Sequence, residues 1–112
     1  MNINETAVEA FLNACEHGFR DYDVNDIHVT STELMLIVSE LAEAMEELRN
    51  GVSLTDIVYD VSGKPVGFPI ELADAMIRIM DTAEARNINL EEAIAIKMEY
   101  NSHRSYMHGK KF

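Results

Sequence analysis

The sequence predicts an all-α fold, a bundle of four main helices, and two observations carry this prediction. Apolar residues recur at helical spacing in four segments, and residues that commonly cap or start helices precede these segments. The chain contains two prolines, five glycines and few runs of β-branched residues, which disfavours a sheet. A length of 112 residues fits one domain, so residues 1–112 are interpreted as a single unit.

The first two helices have amphipathic patterns with recognisable ends. Asn4 is expected to cap the first helix, and Cys15 lies on its apolar stripe, which predicts a small core residue. After a polar, turn-like segment from 20 to 29, the capping box at 30–33 (Thr-Ser-Thr-Glu) is expected to open the second helix, which ends at Asn50 and Gly51. The apolar stripe of this second helix consists of Leu34, Ile37, Val38, Leu41, Met45 and Leu48.

The third helix is apolar on nearly every side, which predicts that it is buried. Pro69 suits its first position, and Asn87 can end it. Its charged residues form one narrow stripe, and a charged stripe inside a core requires partners or a metal ion. The members of this stripe are Glu71, Asp74, Arg78 and Asp81.

The fourth helix is expected to be capped by Asn89, and it carries three polar side chains on one face. Lys97, Asn101 and Arg104 follow one another at helical spacing. Ordinary surface charge near a helix C-terminus also accounts for the two cations. Between the second and third helices, residues 52–68 form a long irregular segment, for which a lid over a ligand and a simple connector are both open.

Composition limits the function classes that remain. The net charge is −11, with 20 acidic against 9 basic residues, which argues against non-specific nucleic-acid binding. Cys15 is the single cysteine and cannot form an internal disulfide, so a cytoplasmic location is expected. No apolar run approaches the length of a membrane span, so no membrane partner is expected.

Two pairs of carboxylates on neighbouring helices indicate a metal site. Glu40 and Glu43 lie three residues apart, as do Glu71 and Asp74, so each pair occupies one helix face. If the two helices pack face to face, four carboxylates converge, and such a cluster needs a cation. Oxygen ligands select a hard ion, Mg²⁺ or Mn²⁺. Taken singly, the first pair also fits a solvated helix face and the second an acidic first turn favoured by the helix dipole.

The ordered set of motifs resembles the MazG-like, all-α NTP pyrophosphatase superfamily over residues 28–112. That family carries an E-x-x-E pair on one helix and an E-x-x-D pair on the next core helix, here 40–43 and 71–74. Residues 97–104 are similar to the family's K-M-x-x-N-x-x-R helix. Many members have a further glutamate directly before the first pair, where this chain has Ser39.

The resemblance implies Mg²⁺-dependent hydrolysis of a nucleoside triphosphate to the monophosphate and pyrophosphate, in house-cleaning or nucleotide-pool control. It implies a homo-oligomer, a dimer or a dimer of dimers, with sites formed between subunits. Either Glu40 or Glu43 would take a proton from the attacking water. The implied metal ligands are Glu40, Glu43, Glu71 and Asp74, and the implied substrate contacts are Lys97, Asn101, Arg104 and His28.

Two alternatives to this function stay open at the level of sequence. A phosphoribosyl-ATP pyrophosphatase would share the superfamily fold and the acidic motifs. A non-catalytic helical interaction or regulatory protein could have kept the acidic scaffold without turnover. Release of pyrophosphate from a panel of nucleotides in the presence of Mg²⁺ separates these possibilities.

Overall fold

A computed structural model describes residues 2–112 and shows a mostly helical protein, which confirms the predicted helical class. A short antiparallel hairpin, in which Val58 pairs with Val66, precedes the third helix. The elements are α1 Ile3–Glu16, α2 Ile27–Arg49, β1 Val58–Tyr59, β2 Pro65–Val66, α3 Phe68–Glu84, α4 Leu90–Ser102 and a 3₁₀ turn Tyr106–Gly109. None of the helices in this described range is long and apolar enough to cross a membrane.

Helix α3 is the central element, because it packs against both α1 and α2 and also contacts β2 and α4. Small side chains dominate the buried positions, so the helices can approach closely. Among residues 2–112, no large side chain is completely buried. The buried hydrophobic residues are Ala7, Ala14, Ala44, Ala75, Met80 and Ala83.

Helix α1 begins two residues earlier than the sequence pattern predicts. Asn2 is the cap, and its side chain accepts a hydrogen bond of 2.8 Å from the backbone of Glu5. The side chain of Asn4 instead donates to Asn89 at 2.8 Å and accepts from the backbone of Glu91 at 3.3 Å. A residue that looked like a local cap therefore joins α1 to the start of α4.

Helix α2 begins at Ile27, so the prediction that it opens at the 30–33 capping box is wrong. Asp26 is the cap and accepts a hydrogen bond of 2.7 Å from the backbone of His28, which places His28 in the first helical turn. The polar groups of the predicted box serve tertiary contacts, because Thr30 and Glu33 both bind Arg86. A longer α2 brings its first turn beside the end of α3.

The face of α2 that packs on α3 is not the apolar stripe. Glu40 and Ala44 are the buried residues of α2, and Glu33 and Glu47 on the same face are half-buried. Most of the predicted apolar stripe is about half exposed within one chain, with Leu34 at 54% and Met45 at 60%. The prediction of a core role for Cys15 is also wrong, because Cys15 is exposed.

Helix α3 begins where the chain makes a close backbone contact. Gly67 has φ +127°, and a side chain there would lie 2.5 Å from the carbonyl oxygen of Asp56. Only glycine tolerates this combination, and Pro69 then occupies the second helical position rather than the first. The helix ends at Glu84, earlier than the predicted Asn87. Contrary to the prediction of burial all round, Leu72, Met76 and Ile77 are 42–47% exposed.

Helix α4 is capped by Asn89 as predicted, and the side chain of Asn89 accepts a hydrogen bond of 3.1 Å from the backbone of Glu92. None of its residues is fully buried, although it touches α1 and α3. It is the least integrated of the four helices. Residues 52–68 are not wholly irregular, since they include the hairpin.

Candidate metal centre and adjoining cavity

Three of the four predicted metal ligands come together where α2 crosses the first turn of α3. Glu40 and Glu43 face α3 one turn apart on α2, and Glu71 is the acidic residue in the first turn of α3. One carboxylate oxygen from each lies within 4.8 Å of the other two. Ligands opposite each other on one Mg²⁺ are roughly 4.2 Å apart, so small side-chain movements would let this trio share an ion.

Glu71 is the electrostatically unfavourable member of this carboxylate trio. Its Oε2 is buried and, within residues 2–112, makes no hydrogen bond. Burial raises the pKa of Glu71 to about 7, and the neighbouring carboxylates of Glu43, Asp74 and Glu40 add to the increase. A buried carboxylate oxygen without a partner is costly, and a bound cation would relieve that cost.

Asp74 lies beside the trio rather than in it. Burial raises the pKa of its carboxyl, and the charges of Glu40 and Glu43 raise it further. Arg78 and Lys64 act in the opposite direction. All four predicted acidic residues therefore interact electrostatically, while three of them bring a carboxylate oxygen within 4.8 Å of the other two.

Arg78 is a site residue that the motif analysis did not single out. Its Nε donates a hydrogen bond of 2.8 Å to Oε1 of Glu40. The signal was present in the sequence, because Arg78 follows Asp74 by one helical turn in the charged stripe of α3. The stripe predicted that Arg78 needs a partner but did not indicate that the partner lies on α2.

An open cavity of about 850 Å³ adjoins the trio and shares Glu40 with it. Asp74 and Arg78 line the same cavity, and so does His28, which the sequence analysis placed near a nucleotide. Its volume lies within the usual range of small-molecule sites. Aromatic and aliphatic groups supply much of the remaining wall, namely Phe19, Tyr22, Val29, Leu36 and Ile77.

A buried network of ion pairs forms another wall of the cavity and links three parts of the chain. Arg20, from the α1–α2 connection, binds both Glu33 on α2 and Asp81 on α3, the latter through Nε at 3.0 Å and Nη2 at 2.8 Å. Arg86 also binds Glu33, and it donates to Thr30 at 3.0 Å. The side chain of Arg20 is 8% exposed, so its charge is committed to this network.

The three predicted substrate contacts near α4 lie apart from the cavity. Lys97 and Arg104 flank the ring of Tyr100, with Nζ at 4.8 Å and Cζ at 5.5 Å from the ring centroid. Arg104 lies two residues beyond the last residue of α4, and Asn101 is half-buried with an Oδ1 that makes no hydrogen bond to residues 2–112. Within a single chain, no residue of α4 lines the cavity.

Comparisons with known proteins add no relative. No protein-family model, no curated protein and no solved structure matches the chain.

Proposed function

We propose that this protein is a MazG-like nucleoside triphosphate pyrophosphohydrolase that requires Mg²⁺, with Mn²⁺ as a possible substitute. The observation that carries the proposal is the carboxylate trio of Glu40, Glu43 and Glu71 at the edge of a cavity of about 850 Å³. An acidic trio alone would fit many surfaces. An acidic trio beside a cavity of nucleotide size supports binding of a ligand whose anionic groups reach the cluster through a cation.

The residues fit a divalent metal, because the buried Oε2 of Glu71 has no hydrogen-bond partner among residues 2–112 and the trio supplies oxygen ligands alone. Glu40, Glu43 and Glu71 would hold the ion, with Asp74 completing the set. When bound, Mg²⁺ would neutralise phosphate charge and make a water molecule more acidic.

The two glutamates of α2 are suited to different tasks. Glu40 is 8% exposed and is bound by Arg78, so its carboxylate is fixed in place. Glu43 is exposed and forms no ion pair with any residue from 2 to 112. A proton acceptor needs a free oxygen and access to water, so Glu43 is the better general base in this proposal.

A second copy of the chain is part of the proposal, because Lys97, Asn101 and Arg104 do not line the cavity of their own chain. Sites formed between subunits would let these groups contact the phosphates of a substrate held by the partner. The half-exposed stripe of α2, which includes Leu34, Val38, Leu41, Met45 and Leu48, supplies a surface for that association. Covering one such leucine or methionine contributes about 1 kcal/mol when half its surface is already buried.

Pyrophosphate release from a panel of ribo- and deoxynucleoside triphosphates, with phosphoribosyl-ATP included, tests the proposal. We expect turnover with Mg²⁺ and none after exhaustive chelation. Glu43→Gln should abolish turnover, whereas the matched change Glu46→Gln on the same helix should not, since Glu46 is exposed and pairs only with Arg49 among residues 2–112. Activity that persists without divalent metal, or that Glu43→Gln leaves intact, would overturn the proposed chemistry.

A further inference from the structure

Arg78 uses one part of its guanidinium to hold Glu40 and leaves the rest available. Its Nε donates to Glu40 Oε1 at 2.8 Å, and within residues 2–112 the two Nη groups make no hydrogen bond. The side chain of Arg78 is 43% exposed, compared with 11% for Glu40. Since a guanidinium carries five N–H donors, four of them have no acceptor in this part of the chain.

The other arginine that lines the cavity cannot play the same part. Arg20 also contributes to the cavity wall, but Glu33 and Asp81 occupy all three of its nitrogens. Arg78 is thus the cavity-lining arginine whose Nη donors remain unpaired within residues 2–112. It lines the cavity beside the carboxylate trio, because it contacts Glu40 directly and Glu40 lines the same cavity.

We propose that Arg78 contacts substrate, binding a phosphate oxygen with its free Nη groups while its Nε orients Glu40. The inference rests on the proposed function and deepens it by naming a residue that recognises the phosphate chain. A planar guanidinium presents parallel N–H groups that match two phosphate oxygens. A phosphate held there is next to Glu40, so its anionic oxygens and the metal ligands meet at the same end of the cavity.

A purely structural role of Arg78 and a role in phosphate binding predict different effects of replacing this side chain. If Arg78 only neutralises and orients Glu40, its loss should weaken metal binding and polyphosphate binding together. If it also contacts phosphate, replacing it should weaken polyphosphate binding beyond any change in metal affinity. Arg78→Lys keeps the charge and loses the fork, and Arg78→Gln keeps an N–H donor and loses the charge. Arg49→Gln is the matched control, because Arg49 is a 72% exposed arginine at the end of α2.

The experiment measures, on the full chain, affinity for Mn²⁺ alone, affinity for inorganic tripolyphosphate in saturating Mn²⁺, and kcat/KM for the best triphosphate of the panel. We expect Arg78→Lys and Arg78→Gln to weaken tripolyphosphate binding at least tenfold relative to any change in Mn²⁺ affinity, and to lower kcat/KM by at least tenfold. Arg49→Gln should change none of the three. A thermal melt of each variant checks folding, and if Arg78→Gln does not fold, the charge-conserving lysine variant decides.

Three results would overturn this inference. If the wild type is active and both Arg78 variants bind tripolyphosphate and turn over substrate as it does, Arg78 does not contact phosphate. The proposed function is then unaffected. A parallel loss of Mn²⁺ and tripolyphosphate affinity assigns Arg78 to the support of Glu40 alone. If the wild-type protein neither binds tripolyphosphate nor hydrolyses any nucleotide, both the proposed function and this inference are wrong.

Discussion

Replacing Glu71 with glutamine should stabilise the metal-free protein and abolish its response to Mg²⁺. The substitution keeps the size of the side chain and removes the negative charge of a carboxylate whose buried Oε2 has no hydrogen-bond partner in the described part of the chain. The folded-state pKa of Glu71 is about 7, above its ordinary value of 4.5, because burial and neighbouring carboxylates favour the neutral form. The folded state therefore holds this proton over a pH range in which the unfolded state has released it.

The sign of the pH dependence follows from that difference. Below the unfolded-state pKa of 4.5, Glu71 is protonated in both states, so its ionisation does not change the free energy of unfolding. As the pH rises from 4.5 towards 7, the unfolded state alone ionises, and the free energy of unfolding falls. Above the folded value the full penalty is present. Glu71→Gln removes this penalty, so its benefit should grow through that window and then stay constant.

The size of the effect is limited by solvent screening. At 1.36 kcal/mol per pKa unit, the rise in the pKa of Glu71 from 4.5 to about 7 gives an upper bound of roughly 3.4 kcal/mol on its effect on the free energy of unfolding. The neighbouring Glu43 is exposed, which reduces the repulsion that reaches Glu71. We expect about 1–2 kcal/mol, or a rise in Tm of about 4–8 °C for a domain of this length.

Thermal melts of metal-free protein at about pH 8 and about pH 4 measure the gain, and repeat melts in millimolar Mg²⁺ measure the metal response. Glu91→Gln is the matched control, an exposed acid in the first turn of α4. Wild-type protein should be stabilised by Mg²⁺ and Glu71→Gln should not. The reasoning is refuted if Glu71→Gln lowers Tm at both pH values, or gains as much at about pH 4 as at about pH 8.

Three further outcomes are expected. Lys97→Ala and Arg104→Ala should each lower kcat/KM at least tenfold, a loss of about 1.4 kcal/mol of transition-state stabilisation, with little change in Tm. If both variants keep wild-type kcat/KM, Lys97 and Arg104 are ordinary surface cations. Sedimentation at micromolar concentration should show an oligomer that Val38→Glu dissociates and Val61→Glu, at a fully exposed position, does not; a monomeric wild type contradicts this. Arg20→Met should lower Tm by more than Arg49→Met does, because Arg20 is buried in ion pairs.

Local sequence signals predicted much of the fold, but they failed for residues whose side chains form tertiary hydrogen bonds instead of capping a helix. Asn89 caps α4 as predicted, because its Oδ1 accepts from the backbone of Glu92 and also accepts the tertiary hydrogen bond from the side chain of Asn4. Asn4 and Thr30 have the chemistry of caps, but they bind partners 85 and 56 residues away. Spacing along a helix carries no information about such partners, so both helix starts were misplaced.

The apolar pattern was misleading about which face of α2 is covered within the chain. The leucine-rich stripe is the more hydrophobic face, yet α3 packs against the face that carries Glu33, Glu40 and Ala44. Ion pairs make that arrangement possible, because Arg78 and Arg86 on the α3 side neutralise Glu40 and Glu33. A hydrophobic pattern shows that a face needs cover but does not say whether the same chain or another supplies it.

The acidic motifs were more informative than the helix ends because their geometry depends on two simple conditions. Each pair needs one helical face, which spacing provides, and the two faces need to meet, which the packing of α2 on α3 provides. Within residues 2–112, Glu40 is buried and paired with Arg78, whereas Oε2 of Glu71 has no hydrogen-bond partner, so the free-energy cost of burying the cluster falls mainly on Glu71. Arg78 offsets the charge of Glu40 permanently, whereas the charge of Glu71 is left without an offset in the metal-free protein. That inequality is why Glu71, rather than Glu40, should report metal binding through stability.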